Sequence, residues 1–564
     1  MNTEIIGVVF MFGLTLLLAI PFGRYIAKVY KGEKTLLDFF TPLENAFFRI
    51  SGINAQREMN WKESMVALLT INMVWFLFAM FVLMAQGWLP MNPDGNPSMT
   101  PDLAFNTTIS FMVNCNLQHY SGETGVTYLS QLICLMFLQF VSAATGLAAA
   151  AILFNALKER TTDKLGNFYN YFMKSLTRIL LPLSIVVAII FLFNGMPMTF
   201  EGKDTITSMQ GDTVQVSTGP VAAFVPIKHL GTNGGGFFGT NSAHPFENPN
   251  YLTNIVQQVA QLIIPLAMVF AIGFYLNKRK FSWMIFGVMT IGFLCLVIPN
   301  MIMEQHGNPA IAQMGVDMSS GAMEGKEVRF GTPASAYWSI LTTVISTGSV
   351  NSFHDSFMPL SGMNQMLAMM VNGFYGGVGV GMLNFFIFII IAVFISGLMV
   401  GRTPEFFGKK VEAREVKIAV IVTLMSAILI KGGTAVAAYL ISADPSLPWL
   451  NNPGFHGFSE MLYEFTSANA NNGSGFEGLG DNNPFWNIST GIVLILGRFI
   501  PIIGPIAIAG ILAGKKYIPE SAGTLKTDTL TFGVMIFAVI FIVTALSYFP
   551  ALALGPIAEF FSMH

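Results

Sequence analysis

The sequence predicts an all-α polytopic membrane protein of ten transmembrane helices, organised as four fused helix–pore loop–helix units with pseudo-fourfold symmetry. Three observations predict it. The 564-residue chain is 53% apolar and 11% charged, with a mean hydropathy of +0.60, whereas soluble domains carry about 25% charged residues. Ten apolar stretches are long enough to cross a bilayer, which takes about 20 residues. Four short polar segments recur between them: Asn114-Cys115-Asn116-Leu117-Gln118, Thr232-Asn233-Gly234-Gly235-Gly236, Ser346-Thr347-Gly348-Ser349-Val350 and Asn469-Ala470-Asn471-Asn472-Gly473. Their starts lie roughly 115–125 residues apart, a fourfold internal repeat.

The apolar stretches cover residues 4–28, 63–87, 127–156, 171–194, 252–275, 281–303, 375–400, 416–441, 486–512 and 529–553. They read as helices because backbone exposed to lipid must satisfy its own hydrogen bonds. Spans two and three flank the first polar segment, four and five the second, six and seven the third, eight and nine the fourth. Short pore helices are expected over 101–113, 218–231, 333–345 and 457–468. The chain divides accordingly into a first helix with a cytoplasmic amphipathic segment (1–60), pore units at 61–165, 166–278, 279–410 and 411–520, and a last helix (521–564). The start of the chain lacks the basic residues of a cleaved signal, so the first span reads as a retained helix.

Orientation follows from Lys and Arg. The loops after spans one, three, five, seven and nine, with Arg24, carry 23 of the 29 basic residues. The opposite loops hold only Lys203, Lys228, Lys326 and Arg329, and Lys431 and Arg498 fall within spans. Both termini and all four polar segments are therefore expected outside. Nineteen of the 31 carboxylates fall on that outer side, an excess that concentrates cations. A net charge of −2 points to no nucleic-acid partner. The three scattered cysteines, Cys115, Cys134 and Cys295, predict neither a disulfide framework nor a zinc site.

Four polar loops facing one axis from the same side can replace the water shell of a cation with backbone carbonyl oxygens. A pore helix that enters from outside and ends at such a loop aims its negative end at the axis. Gly234, Gly235, Gly236, Gly348 and Gly473 permit the left-handed backbone that inward-pointing carbonyls require.

Gly231-Thr232-Asn233-Gly234-Gly235-Gly236-Phe237-Phe238, followed by Asn241-Ser242-Ala243-His244-Pro245-Phe246-Glu247-Asn248-Pro249, closely resembles the KdpA family, the potassium-binding subunits of bacterial potassium-importing P-type ATPases. Gln118-His119-Tyr120-Ser121-Gly122-Glu123, Val350-Asn351-Ser352-Phe353-His354-Asp355-Ser356-Phe357 and Gly401-Arg402-Thr403-Pro404-Glu405-Phe406-Phe407-Gly408-Lys409-Lys410 share the resemblance, which runs along essentially the whole chain. It implies a filter selective for extracellular K+, a partner P-type ATPase subunit that hydrolyses ATP, small accessory membrane subunits and a place in the bacterial inner membrane. The filter carbonyls would fall on Asn114, Cys115 and Asn116; Thr232, Asn233 and Gly234; Thr347 and Gly348; and Asn471, Asn472 and Gly473. Gln118 and Gly235 match positions that influence selectivity. Cys115 and Leu117 depart from the Thr and Trp usual in the first loop, and Ala470 interrupts a run of three Asn in the fourth. Carbonyl coordination does not depend on those side chains, so selectivity should survive.

Span seven opens with Gly373-Phe374-Tyr375-Gly376-Gly377-Val378-Gly379-Val380-Gly381, whose glycines should break the helix. Gly376, Gly377 and Gly379 are candidates for a gate under the third loop, set against close packing through small residues. Arg498 lies in span nine, where a charge costs about 2.5–3.5 kcal/mol on insertion scales; it is a candidate for barring a straight path and diverting the ion sideways. Lys431 reads more as structural. His244, His354 and Asp355 show no metal-ligand spacing and read as hydrogen-bonding residues, with Asp355 also able to draw cations. The chain carries no Asp-Lys-Thr-Gly motif and no GxxxxGK[ST] loop, so ATP chemistry is expected on a partner. A stand-alone potassium channel or an ion-coupled uptake protein would need the same filter. An intramembrane enzyme would need a paired nucleophile and base, or a metal constellation, and the sequence offers neither.

Overall fold

A computed structural model describes residues 3–401, 403–519 and 526–563. Arg402, one of the basic residues that set the expected orientation, lies outside the described residues, as do the residues at the junction of the fourth pore unit and the last helix. Among the described residues ten helices are long and apolar enough to span a membrane: Ile5–Lys31, Trp61–Trp88, Ser130–Lys158, Phe168–Phe193, Tyr251–Leu276, Arg279–Gln313, Val380–Met399, Ala413–Ala443, Pro484–Ala513 and Leu530–Ser562. Four shorter helices stand at the expected pore positions: Pro101–Met112, Val221–Leu230, Gly331–Val344 and Phe455–Ala470.

The helix starts follow local chemistry. Asn60 accepts from the backbone N–H groups of Lys62 and Glu63 while the Glu63 carboxylate accepts from Asn60, a reciprocal cap of the second span. Asn250 and Thr253 do the same for the fifth, and Asn483 caps the ninth. Pro101 stands at the first position of the first pore helix, where its missing N–H costs nothing.

Burial separates the spans into two rings. The third, fifth, seventh and ninth have 72%, 78%, 67% and 67% of their most apolar windows buried, and the second, fourth, sixth and eighth have 33%, 39%, 50% and 28%. The helix that follows each loop therefore lines the centre, and the helix that precedes each pore helix faces outward. Small side chains allow this: Ala143, Ala144 and Ala148–Ala151 of the third span are fully buried, letting backbones approach closely. The first span packs against the fifth, and the tenth lies against the sixth and seventh. The amphipathic segment after the first span is anchored to the fourth through Arg178, whose guanidinium lies 2.7 Å from both Glu44 and Asp38.

Three features depart from expectation. The expected seventh span begins at residue 375, but its helix starts at Val380, and Tyr375, Gly376 and Gly379 have φ of 64°, 64° and 79°. A separate helix, Pro359–Val371, precedes this break; third-unit chain at membrane depth is thus a helix, a glycine-rich turn and a second helix. A hairpin pairs Asp204–Thr207 with Thr213–Val216, and a two-residue ladder pairs Glu405–Phe406 with Lys409–Lys410.

A candidate cation site where four loops meet

Each pore helix runs into its loop by the same hydrogen bond. One N–H in each loop donates to the carbonyl five residues back: Cys115 to Ser110 at 3.0 Å, and Asn233 to Lys228, Thr347 to Thr342 and Asn472 to Ser467 at 2.9 Å. The residues on either side of that position are left-handed in every loop, with φ of 64° and 59° at Asn114 and Asn116, 47° and 88° at Thr232 and Gly234, 50° and 82° at Ser346 and Gly348, and 51° and 107° at Asn471 and Gly473. In an extended strand successive carbonyls point to opposite sides; alternating the hand of the backbone turns them to one side. The arrangement favours Gly, with Asn the best-tolerated alternative, which explains the composition of the loops. Thr232 is a β-branched residue at positive φ, a strained conformation that costs about 1–3 kcal/mol.

The loops close into a ring through their backbones. A Cβ on Gly473 would overlap the Cys115 carbonyl, one on Gly348 the Asn472 carbonyl and one on Gly234 the Thr347 carbonyl. Between the first and second loops a Cβ on Gly235 would lie 2.6 Å from that of Asn116. All four loops thus touch their sequence neighbours, the fourth touching the first. The expected carbonyl set began the third loop at Thr347, and the backbone makes Ser346 the counterpart of Asn114, Thr232 and Asn471. Superposing Ser346-Thr347-Gly348 on Thr232-Asn233-Gly234 at the shared glycine was the available signal.

Side chains hold the ring from outside. The Gln118 amide accepts from Gly236 N–H at 2.8 Å and donates to the Gly236 carbonyl at 3.0 Å, clamping the second loop to the first. Asn114 Nδ2 donates to the carbonyls of Gly231 and Thr232 at 3.0 and 2.9 Å, and Ser142 Oγ contacts Asn114 Oδ1 and Asn233 Oδ1. Asn241 Nδ2 donates to the Gly234 carbonyl at 2.8 Å, and the fully buried Lys228 ammonium is held by Asn241, Ser242 and Glu247. The carbonyls of Thr232 and Gly234 therefore each carry an amide donor that the sequence did not reveal. Asn472 Nδ2 donates to the Thr342 carbonyl at 2.8 Å.

The glycine-rich turn lies against the ring. A Cβ on Gly377 would sit 3.5 Å from Ser346 Cβ and 3.6 Å from Thr232 Oγ1; Val378 N–H donates to Thr232 Oγ1 at 3.0 Å, and Ser346 Oγ to Asn372 at 2.8 Å. Gly376 packs on Gly381, and Gly379 on the Gly146 backbone of the third span. Arg498 is buried beside them, its Nη2 donating to the Ser142 carbonyl at 3.0 Å. A cavity of about 10 Å³ touches Asn114, Ser346, Asn471, Gly377 and Arg498. A second, of about 50 Å³, runs from Asn372, Asn384 and Asn469 outward to Thr423 of the eighth span and Thr544 of the tenth.

Beside the first loop, His119 bridges Glu464, at 3.0 Å, and Asn487, at 2.7 Å. Burial lowers the His119 pKa, but the neighbouring carboxylates of Asp481 and Glu464 outweigh it and bring it up to about 9. Asp355 is bonded to His456 at 2.8 Å, His354 to the Tyr463 hydroxyl at 3.0 Å, and His244 stacks on Phe238 at 3.8 Å. Two clusters offer ligand atoms within 4.8 Å of one another, His119 with Glu464 and Asp481, and Asp355 with His456 and Glu460; residues so distant in sequence have no spacing to read. Lys431 is exposed on the eighth span.

The family model described as "Potassium-transporting ATPase A subunit", KdpA, matches residues 9–561. The chain belongs to the KdpA family. A relative from Flavobacterium psychrophilum, named as a potassium-transporting ATPase potassium-binding subunit, is 69% identical over 573 residues and covers 100% of both chains. Relatives of the same name from Bacteroides thetaiotaomicron and Geobacillus kaustophilus are 60% identical over 568 residues, with 100% of both chains covered, and 45% identical over 553 residues, with 98% covered. Among solved structures, the potassium transporter TrkH from Vibrio parahaemolyticus aligns with a TM-score of 0.51 at 14% identity, over 89% of this chain and 98% of that one. At that identity the likeness speaks to the fold alone. This KdpA-family chain is a multi-pass, helical membrane protein.

Proposed function

We propose that the chain binds extracellular K+ in a filter built from the four loops and passes it inward, as the translocating subunit of an ATP-driven potassium import complex. The observation that carries this reading is the closed backbone ring, in which the same i to i−5 hydrogen bond and the same alternation of left-handed residues recur four times. Such a ring offers K+ a set of carbonyl dipoles in place of hydration. The coordinating backbone is assigned to Asn114, Cys115 and Asn116, to Thr232, Asn233 and Gly234, to Ser346, Thr347 and Gly348, and to Asn471, Asn472 and Gly473. Gln118 and Gly235 support selectivity by holding the first and second loops together.

Below the ring, Gly376, Gly377 and Gly379 form the gate, because their turn is tied to Thr232 and replaces a turn of helix. Arg498 presents a fixed positive charge beside the path and turns the ion away from a straight exit, toward the cavity between the seventh, eighth and tenth spans. K+ is the cargo. ATP is hydrolysed on a partner P-type subunit, and small accessory membrane subunits complete the complex; the relatives' names, which describe one subunit of a potassium-transporting ATPase, support membership in such a complex. The asymmetry of Lys and Arg supports both termini and all four loops on the outer side of a bacterial inner membrane, and the division into four pore units follows from the fourfold repeat.

The test is co-purification of the tagged chain from its own cells, followed by ATPase assays over a K+ titration. ATP hydrolysis stimulated by K+ and not by Na+ is the expected result. A chain that purifies with no ATPase and supports K+ uptake by itself would overturn the reading in favour of a stand-alone channel or ion-coupled uptake protein.

A further inference from the structure

The lysine-rich end of the bundle holds a cavity that shares no lining residue with the four loops or the cavities beside them. It has a volume of about 920 Å³ and lies between the turn joining the fifth and sixth spans, the Phe407–Gly408 turn and the segment entering the tenth span. Four cations line it, Lys278, Arg279, Lys280 and Lys526, against one carboxylate, Asp528. All four are exposed. Among the described residues none of them has an ion-pair partner; Lys278 lies 4.7 Å from the Phe407 ring centre and Arg279 5.3 Å from that of Phe274.

This cavity continues into an apolar groove. A space of about 560 Å³ between the sixth and tenth spans shares Lys280, Asp528 and Thr529 with it, and is otherwise walled by Trp283, Gly287, Ile291, Gly533, Val534 and Phe537. Ile291 and Val534 are 54% and 61% exposed, so the groove opens toward the bilayer. Beyond Phe537 a further apolar space of about 400 Å³ carries it on past Cys295 and Phe541. Charge is confined to one end and hydrocarbon to the rest.

We infer that this groove binds an anionic phospholipid, with its phosphate among Lys278, Arg279, Lys280 and Lys526 and an acyl chain along Gly287, Ile291 and Val534. Basic pockets between helices at the cytoplasmic interface select anionic headgroups, and Trp283, half-exposed one turn into the sixth span, sits where an interfacial aromatic belongs. A zwitterionic lipid would fill the groove but bring no net charge to a cluster whose four cations face the single carboxylate of Asp528. Free phosphate would neutralise the cations and leave the groove empty. With the orientation proposed above, the site lies in the inner leaflet; lipid occupancy is read independently of ion selectivity, so failure of the filter reading would leave this site standing.

The whole complex, purified in mild detergent, is reconstituted into nanodiscs of phosphatidylcholine alone or with one-fifth phosphatidylglycerol, re-extracted, and its retained lipids weighed by mass spectrometry. Wild type is expected to enrich phosphatidylglycerol over the supplied ratio. The triple variant Lys278→Gln, Lys280→Gln, Lys526→Gln is expected to lose roughly tenfold of that preference, while still retaining phosphatidylcholine. A side chain on Gly287 meets no protein atom within 4 Å, so Gly287→Phe fills the groove without disturbing the fold and should lower retention of both lipids. Equal lipid composition in wild type and triple variant would overturn the proposal. So would efficient cross-linking of Gly287→Cys to a helix of an accessory subunit, which would assign the groove to protein.

Discussion

Gly348 and Asn472 meet backbone to backbone: the Gly348 Cα faces the Asn472 carbonyl so closely that a Cβ would overlap it, and Gly348 holds a φ of 82°. Two requirements, a left-handed backbone and no side chain, fall on one residue. Gly348→Ala should therefore splay the third and fourth loops. The expected outcome is at least a tenfold rise in the K+ concentration that half-activates ATP hydrolysis, with expression retained. Activation over a K+ titration of the purified complex checks it.

Gln118 grips both the N–H and the carbonyl of Gly236. Arginine has no acceptor, so Gln118→Arg cannot receive the Gly236 N–H. Gly235→Asp places a side chain against Asn116. Both variants should weaken K+ affinity or relax discrimination against Rb+ and Na+, read as stimulation of ATPase activity by each ion in turn. Unchanged affinity and selectivity in both would remove the filter assignment.

Arg498 is a buried cation whose guanidinium reaches the Ser142 carbonyl beside the ring. Arg498→Met keeps much of its length and removes its charge. In liposomes with a K+ gradient and no ATP, the variant complex should leak K+ where the wild type stays closed, because the electrostatic barrier to direct passage is gone.

Lys228 and Glu247 form an ion pair with no exposed surface. Lys228→Met leaves a buried carboxylate without its counter-charge and should cost about 3–5 kcal/mol. Adding Glu247→Gln should recover a large part of that loss. Thermal melting of the detergent-purified single and double variants tests the pair, and a strictly additive double variant would contradict it.

His119 has a folded-state pKa raised to about 9 from an ordinary 6.5. Against the lowering effect of burial, it is raised by the carboxylates of Asp481 and Glu464 and by the hydrogen bond to Asn487. A group whose pKa rises on folding contributes stability fully below its unfolded pKa and loses it as pH climbs through the folded value. The melting temperature of the complex should fall between pH 6.5 and 9, and His119→Gln should flatten that part of the profile. Slopes that match in wild type and variant would contradict this.

The spans were legible because hydrocarbon leaves the chain no alternative. A run of about 20 apolar residues must be a helix, and the expected limits of the second, fifth and ninth spans fall within a few residues of Trp61–Trp88, Tyr251–Leu276 and Pro484–Ala513. The pore helices were legible from their place between paired spans. The helix Pro359–Val371 was missed because it is short and moderately apolar, and it precedes a glycine cluster that looked like the start of a longer helix. Ser346 opens the third polar segment but falls outside the expected carbonyl set, because the family resemblance places those carbonyls on Thr347 and Gly348; its left-handed φ of 50° restores it. The Asn241 amide on the Gly234 carbonyl and the His119–Glu464 pair, 345 residues apart, had no local signature.

By itself the sequence determined the transmembrane class, the count of spans, the fourfold period and the residues that could carry a carbonyl ring, since each depends on composition or spacing along the chain. The tertiary structure alone decided which glycine faces which carbonyl, that the fourth loop closes on the first, that the glycine-rich break packs against Thr232 and Ser346, and that four cations with no ion-pair partner among the described residues border an apolar groove. Those relations arise from backbones hundreds of residues apart being packed within van der Waals contact, and no period in a linear chain encodes such a distance.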